Sequence, residues 1–476
     1  LTVTAAPVLR GAPERVDAAA DVVVIGAGAC GLMAALRARA EGAQVLVVER
    51  DATPSGSTAM SSGFVPAPAT RFQREIGVAD DTPARFAADI LAKANGRCDA
   101  ELATLAAETI GPALEWLADH AGVDWRVLDD FLYPGHSRHR MHCVDERTGA
   151  ALHARLLAAA ETMEIAIATQ ARATQLYADA DAGDRIVAVG IERPGGGRET
   201  LGCGALVLAS SGFGGDPDLV KTHIPELGGA LYYGHAGNTG DAVRWGKALG
   251  AGLAHMSGYQ GHGSLAHPHA ILISWALMMK GAIQLNERGD RFSDESGGYS
   301  EQAVKVLAQP GGFAWNIYDE TVHRFGLTFP DYREAVAAGA VRTAPTVGAL
   351  AAMTGLPQLR LAASLAEVAR ICAGTRPDPF GRDFSGLAPL LPPFYAVKVT
   401  GALFHTQGGL RIDGCARVLD RQDRPFANLF AGGGAACGVS GPDVSGYLSG
   451  NGLLTAIAFG FLAGRAAVRA ALEPAG

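Results

Sequence analysis

A glycine-punctuated strand, turn and helix near the start of the chain constrains its fold more than any other feature. The segment reads Asp21-Val22-Val23-Val24-Ile25-Gly26-Ala27-Gly28-Ala29-Cys30-Gly31, and Glu49 follows at the end of the next apolar run, Val45 to Val48. The unbroken apolar run Val22 to Ile25 suits a parallel strand buried on both faces. Gly26, Gly28 and Gly31 are then spaced for a tight turn, for close approach of a pyrophosphate and for packing of a helix on the sheet. The helix expected from Ala29 to Ala40 aims its positive end at phosphate. Glu49 is placed to accept hydrogen bonds from ribose hydroxyls, which favours an unphosphorylated ribose over a 2′-phosphate. A lone G-x-G-x-x-G is weak evidence, but strand, helix, second strand and acid all sit where a dinucleotide-binding βαβ unit needs them.

The remainder of the chain has room for more than this unit. At 476 residues, with 48% hydrophobic and 18% charged residues, it can bury a large core and divide into two or more domains. Short β-rich runs alternate with alanine-rich helices from Asp21 to Leu253 and again from Phe394 onward, an α/β pattern. Arg185 to Glu192 and Glu199 to Leu201, flanking Pro194-Gly195-Gly196-Gly197, read as an edge hairpin. Ala205 to Ala209 reads as a separate buried strand ending in a glycine-rich turn. Between His255 and Pro393, short amphipathic helices broken by prolines suggest an inserted cap. The expected organisation is a Rossmann-type nucleotide domain in two parts, residues 1–254 and 394–476, around an α+β cap at 255–393.

Charge and cysteine usage narrow the partners. A formal net charge of −8 with no basic run argues against nucleic acid. The seven cysteines form no CxxC or CxxCH motif, which suggests a reducing compartment. Residues 1–20 carry Arg10 and Arg15 but no continuous apolar core and no twin-arginine pair, so no signal peptide is expected. No apolar segment reads as a membrane span, and a cytoplasmic location is expected.

Several further motifs together resemble the flavoprotein family of soluble fumarate reductases, succinate dehydrogenase flavoprotein subunits and 3-ketosteroid dehydrogenases. Gly56-Ser57-Thr58-Ala59-Met60-Ser61-Ser62-Gly63 is similar to the small-residue segment beneath the flavin. Val207 to Gly215, Asn238-Thr239-Gly240-Asp241, Asn286 to Glu295 with Arg291 at its centre, His405 to Leu410 and Asn428 to Gly434 match the remaining family segments in order. The resemblance implies FAD rather than NAD. Clustered glycine and serine also suit an extended isoalloxazine, which needs small side chains along it. The implied cofactor contacts are Gly26, Gly28, Ala29, Gly31, Glu49, Arg50, Ser57, Thr58, Ser62, Gly63, Ser210, Gly212, Asp241, Gly433 and Leu453. Asp241 is expected to cap the following helix, and the helix beginning near Asn451 to face the flavin with its positive end. The family often carries an acid near Gly434 for the ribityl chain, and here glycine takes that place.

The same alignment of motifs shows what the substrate site keeps and what it loses. His262 and Ser264, in Tyr259-Gln260-Gly261-His262-Gly263-Ser264, and His405 fall on residues with which fumarate reductases bind a dicarboxylate. Arg291 falls on their proton-donating arginine. Trp275 and Met278 replace a glutamate and an arginine of their proton relay, and an apolar pair carries no proton. Tyr447 stands where those enzymes place a clamping arginine. An arginine grips a carboxylate through paired charge-assisted bonds, whereas a phenol gives one bond suited to a carbonyl or a developing enolate. Tyr447 and Tyr299 are similar to the two tyrosines of the ketosteroid dehydrogenase branch, which implies a ketone-polarising role for Tyr447 and a base role for Tyr299. A backbone N–H near Gly450 or Asn451 would share the oxygen.

Competing readings stay open at this level. Tyr299 is also explained as an interface packing residue, and Arg291 as an ion pair with Asp294 or Glu295. Tyr133-Pro134-Gly135-His136-Ser137-Arg138-His139-Arg140-Met141-His142 reads either as an anion-recognition loop, which would let a keto acid bind, or as a solvated surface loop. Cys30, Cys203 and Cys437 read as small core residues. The expected activity is FAD-dependent introduction of a C=C bond next to the carbonyl of a cyclic ketone or keto acid, of 3-ketosteroid or 4-oxocyclohexanecarboxylate type. The acceptor would be external: oxygen, a quinone or a dye. The rivals are the reverse reaction, reduction of an activated alkene, and a non-catalytic electron-transfer subunit. No metal site is expected.

Overall fold

The Ala18–Ile25 strand runs through a nine-stranded sheet, paired parallel with Val45–Val48 on one side and Arg198–Leu208 on the other. This computed structural model describes residues 7–180 and 183–472, so part of the 1–20 segment, from which no signal peptide is expected, lies outside the described residues. Pro425–Ala431 continues the parallel array beyond Arg198–Leu208. Val22, Val23 and Val24 are fully buried, as a strand covered on both faces requires. The first helix occupies Ala29–Ala40, and its N-terminus follows directly on the strand.

The Asn451–Leu472 helix packs against that first helix. Small residues make the contact possible: a Cβ added at Gly460 would lie 2.6 Å from the Cys30 carbonyl oxygen, and one at Gly464 would lie 2.3 Å from that of Ala34. By length and composition this 22-residue helix is long and apolar enough to cross a membrane, contrary to the expectation that no segment is. Most of it is buried among protein residues, which accounts for its apolar composition.

Two expectations for the sheets need correction. The hairpin forms, with Arg198 opposite Glu192, but its second strand does not end at Leu201. It continues as one strand to Leu208, so the separate strand expected at Ala205 is its tail.

The second correction concerns the cap, whose core is a seven-stranded sheet. Phe394–Thr406 is its organising strand, pairing with Tyr259–Ala266, Phe313–Asp319, Arg342–Ala344 and Leu231–Tyr232. The sheet therefore draws on residues from both sides of the expected 255–393 boundaries. The helices Tyr299–Leu307, Pro330–Ala337 and Gln358–Cys372 belong to the same region. Strands as short as Ile283–Leu285 leave too little alternation in the sequence to read.

Candidate functional site

A cavity runs from the turn after Ala18–Ile25 to the Phe394–Thr406 strand, between the two sheets. It encloses about 1900 Å³ free of protein atoms, part of it open to solvent. Its wall joins the first glycine turn at one end to aromatic residues of the second sheet at the other.

The glycines of the first turn divide their work. Gly26 has φ +107° and a Cβ there would lie 2.5 Å from the Ala209 carbonyl oxygen; at Gly31 it would lie 1.8 Å from that of Gly26. Both are demanded by the fold beneath the cavity, and Gly31 does not line it. Gly28 has an ordinary φ of −80°, and the nearest atom to an added Cβ is Thr58 Oγ1 at 3.4 Å. Gly28 thus keeps open space on the cavity side. Gly212 joins Gly31 as a packing glycine, since a Cβ there would meet Thr406 Oγ1 at 2.0 Å.

Around this turn the polar groups are arranged for a nucleotide. Glu49 accepts N–H bonds from Ala27 at 3.0 Å and Asp51 at 2.9 Å, which fixes its carboxylate on the wall with lone pairs to spare. Ala29 N–H donates to Thr58 Oγ1 at 2.9 Å, Asn238 Nδ2 to Ser57 Oγ at 2.8 Å and Arg50 to the Gly237 carbonyl at 2.8 Å. Ser62, Gly63, Gly433 and Leu453 line the same channel. Asp241 lines it too, but as the first helical residue; the cap position is Gly240, and Thr239 Oγ1 donates to the Asp241 carboxylate at 3.2 Å. The Ser210 hydroxyl and the Trp245 indole N–H are buried on this wall without a protein partner. Orphaned polar groups facing a cavity are what a polar ligand would satisfy. The donor set, the acid and the small-residue wall fit FAD.

At the other end the wall is aromatic and neutral. His262, Trp275, Tyr299, Phe404, His405, Tyr447, Tyr133 and Tyr233 line it with Gln260, Ser274, Gln407, Ser449, Gly450 and Gly452. His262 stacks on Tyr299 with ring centroids 4.8 Å apart and on Phe404 at 5.1 Å. Its Nδ1 accepts the Ser264 N–H at 3.1 Å, leaving the proton on Nε2. Burial lowers the His262 imidazole to about 3 and the His405 imidazole to about 4, so both are neutral at pH 7. Among the described residues on the cavity wall, the cations are Arg50 and Arg172, both next to the Glu49 end.

The two tyrosines predicted to act together are together. The Tyr299 and Tyr447 rings lie 6.1 Å apart at 61°. Burial pushes the Tyr299 phenol up to about 12, while the hydroxyls of Ser449 and Tyr447, facing its oxygen, pull it down. Burial also holds Tyr447 well above the usual phenol range, with the neighbouring Tyr299 adding to the effect. The Gly452 N–H donates to the Tyr447 hydroxyl at 3.5 Å. Of the two phenols, Tyr299 is therefore the one whose anion is helped by neighbouring hydroxyls.

Besides those of Gly31 and Gly212, three expected contacts are not made. Ser264 is fully buried away from the cavity, accepting from Asn316 Nδ2 at 2.7 Å. The strand changes register between His262 and Leu265, which breaks the alternation that would have put Ser264 on the His262 side. The Asn451 side chain is buried as well, donating to Ser440 Oγ at 2.9 Å. Arg291 is taken by Glu295 at 2.5 Å and by Asp378, between the rings of Phe380 and Phe384. The ion-pair reading of Arg291 describes its position, and no donor reaches the cavity.

The solvated-loop reading of residues 133–142 holds for Gly135, Ser137 and Arg138 and fails for the rest. Arg140 is buried against Asp81 at 2.8 Å and Asp89 at 2.5 Å, while Arg138 pairs with Asp80. His142 is hydrogen-bonded to Thr70 Oγ1 at 2.7 Å. The loop is a packed buttress, and within it Tyr133 and Met141 reach the cavity.

Sequence reasoning also missed Phe404, Tyr233 and the site role of Ser449. Ser449 lies between Tyr447 and Gly450, but nothing in the sequence marks a lone serine as facing a phenol. The remaining Arg–Glu–Arg string is Arg291, Glu295 and Arg382, the last bonded to Glu295 at 3.1 Å; none of the three lines the cavity.

Comparison with known proteins agrees with this geometry. The probable fumarate reductase Ifc3 of Shewanella frigidimarina is 30% identical over 459 residues, covering 95% of this chain and 75% of that protein. The 4-oxocyclohexanecarboxylate 2-dehydrogenase of Sinomonas cyclohexanicum is 29% identical, with 87% of each chain covered. Among solved structures, the open conformation of a flavocytochrome c3 fumarate reductase superposes with a TM-score of 0.82 at 27% identity, over 96% of this chain and 79% of that one. A 3-ketosteroid-Δ4-(5α)-dehydrogenase of Rhodococcus jostii RHA1, in complex with 4-androstene-3,17-dione, gives 0.74 at 25% identity, over 97% and 98%. Residues 21–453 match the FAD binding domain family, and with that match and these relatives the chain belongs to it: this is an FAD-dependent oxidoreductase of the fumarate reductase and succinate dehydrogenase flavoprotein kind.

Proposed function

We propose that the protein desaturates a ring carbon–carbon bond next to a carbonyl, in an uncharged cyclic ketone of 3-ketosteroid or 4-oxocyclohexane type. The observation that carries this reading is the Tyr299–Tyr447 pair on a cavity wall without a cation nearby. Tyr299, as phenolate, takes the proton from the carbon next to the carbonyl. Tyr447 donates to the carbonyl oxygen as negative charge develops there. Neutral His262 and His405 supply N–H donors or packing surface, and Trp275, Phe404 and Tyr233 give a ring apolar walls. FAD, which the wall from Gly28 and Glu49 to Gly433 and Leu453 would hold, would supply a two-electron acceptor for the hydride of the adjacent carbon, so that loss of proton and hydride leaves the C=C bond. Turnover would need an external oxidant such as oxygen, a quinone or a dye.

A carboxylate is poorly served here. It would leave water for a wall whose histidines carry no charge, at a cost on the order of several kcal/mol without a paired cation. Asp331 and Glu334 add negative charge near Tyr233, and burial holds Asp331 above the usual carboxylate range. Reduced enzyme should therefore be reoxidised by a cyclic enone at least about tenfold faster than by fumarate, as the missing paired bonds predict. Anaerobic stopped-flow mixing with each acceptor measures this, and the opposite order would restore a dicarboxylate site.

The pH profile gives a second check. A phenolate base is active when deprotonated, so kcat/KM should climb with pH as far as the folded protein allows. No inflection should appear near pH 6–7, because His262 and His405, at about 3 and about 4, have already lost their protons. A plateau above pH 7 would assign the base to a different group.

The second reading, alkene reduction, is favoured by similarity to fumarate reductases. The same stopped-flow comparison separates the two, since an enzyme built to reduce fumarate is reoxidised by it at least as fast as by a cyclic enone.

A further inference from the structure

Beside the two phenols, the chain presents a buried arrangement that no catalytic step has used. His136 is 5% exposed, stacks on Phe86 at 6.0 Å, and its Nε2 bonds the Ser449 carbonyl oxygen at 3.0 Å. Its Nδ1 faces Arg140 Nη1 at 3.5 Å. A guanidinium can only donate, so Nδ1 accepts and the ring proton sits on Nε2, pointing at Ser449. Arg140 in turn cannot move. Asp81 binds Nε at 2.9 Å and Nη2 at 2.8 Å, Asp89 binds Nη1 at 2.5 Å, and the Phe86 ring lies 4.6 Å from the guanidinium carbon. Asp89 is held by the Ser137 N–H and hydroxyl, and Asp81 by Gln73.

The peptide bond that His136 grips is the one that matters to the site. In a trans peptide the C=O and the following N–H point in opposite directions. With the Ser449 carbonyl drawn back toward His136, the Gly450 N–H is turned to the other side, where it serves the Tyr447 hydroxyl with the Gly452 N–H. The same residue's side chain serves Tyr299. Gly450 has φ +86°, and a Cβ there would strike Pro66 Cδ at 2.5 Å, so only glycine fits here, and glycine by itself leaves the orientation of the peptide free. That plane is what His136 fixes.

We propose that His136 is a positioning residue for desaturation: its Nε2–H bond to the Ser449 carbonyl orients the 449–450 peptide, and so sets both the Ser449 hydroxyl against Tyr299 and the Gly450 N–H against Tyr447. It touches neither substrate nor cofactor. The inference rests on the ketone desaturase reading for its rate measurement, but not for its binding measurement.

His136→Phe keeps the ring against Phe86 and removes the bond; His136→Leu is made beside it in case the larger ring disturbs packing. His136→Gln returns an N–H donor at similar reach. With FAD content equal to wild type, the first two should lower kcat for a saturated cyclic ketone about tenfold or more, a part of the about 10²- to 10³-fold that losing an oxyanion donor outright costs. KM should change little, and the glutamine variant should recover most of the rate.

The second readout is 4-nitrophenol, whose ionised form mimics an enolate and absorbs at longer wavelength. Wild type should shift its apparent pKa downward on binding, and the phenylalanine and leucine variants should lose about half or more of that shift. Unchanged kcat and unchanged phenolate binding in a folded, flavin-replete variant would overturn the proposal, as would a glutamine variant no better than leucine. If wild type oxidises no cyclic ketone, the desaturase reading fails on its own, and the 4-nitrophenol comparison still decides the role of His136.

Discussion

Gly28→Leu is expected to give a folded, colourless protein. Gly28 has an ordinary backbone conformation, and an added Cβ meets nothing closer than Thr58 Oγ1 at 3.4 Å, so the chain itself accepts a side chain there. The branched side chain would then occupy the space in which the pyrophosphate of FAD must approach the backbone. Flavin affinity should fall by about 10³-fold or more, the equivalent of about 4 kcal/mol of lost contact. Gly31→Leu is the control, because its Cβ would lie 1.8 Å from the Gly26 carbonyl oxygen and the strand–helix unit could not close. Circular dichroism and flavin absorbance separate the two: Gly28→Leu should lose colour with native helix content, and Gly31→Leu should lose both. A yellow Gly28→Leu protein with wild-type occupancy would move the pyrophosphate elsewhere.

Tyr299→Phe should abolish most desaturation while leaving the protein yellow. General-base removal costs about 10²- to 10⁴-fold in rate. Exchange of the substrate's α-hydrogen with solvent deuterium should fall with it, since that exchange needs the same proton abstraction. Tyr447→Phe should lower turnover by about 10²- to 10³-fold through loss of the oxyanion donor. Neither tyrosine belongs to a phosphate turn, and FAD content should survive in both. If Tyr299→Phe kept exchange and turnover, His262, stacked on the same ring, would be the next residue to replace.

The nucleotide end of the site was legible in the sequence because its signals are local. Val22 to Ile25, the glycine spacing and Glu49 lie within one βαβ unit, and each is read from neighbours a few residues away. The aromatic end was legible only in part. Tyr299, Tyr447, His262 and His405 stand in motifs, yet Ser264 dropped out because a register change after His262 turned it inward. Arg291 dropped out because Asp378, 87 residues further on, neutralises it together with Glu295. No local pattern predicts that partner.

The 133–142 loop carries the same lesson with opposite sign. Its histidines and arginines read either as an anion-recognition loop or as a solvated surface loop, because charge in a loop is usually solvated. Asp81 and Asp89 bury Arg140 beneath the site, while Arg138 pairs with Asp80 at the surface. Its contribution is then rigidity, through His136, rather than charge. The cap was misjudged for a similar reason: Phe394–Thr406 lies beyond the expected boundary, but it provides the pairing edge for strands from the whole region.

Anaerobic titration of the oxidised enzyme with saturated cyclic ketones tests the central claim most directly. A saturated 3-ketosteroid, 4-methylcyclohexanone and 4-oxocyclohexanecarboxylate would be compared with succinate, following the flavin absorbance. The account predicts that at least one uncharged ketone bleaches the flavin and yields the α,β-unsaturated ketone in equal amount, that the keto acid reacts more slowly than its uncharged counterpart, and that succinate leaves the flavin oxidised. Bleaching by succinate with no response to any ketone would contradict it.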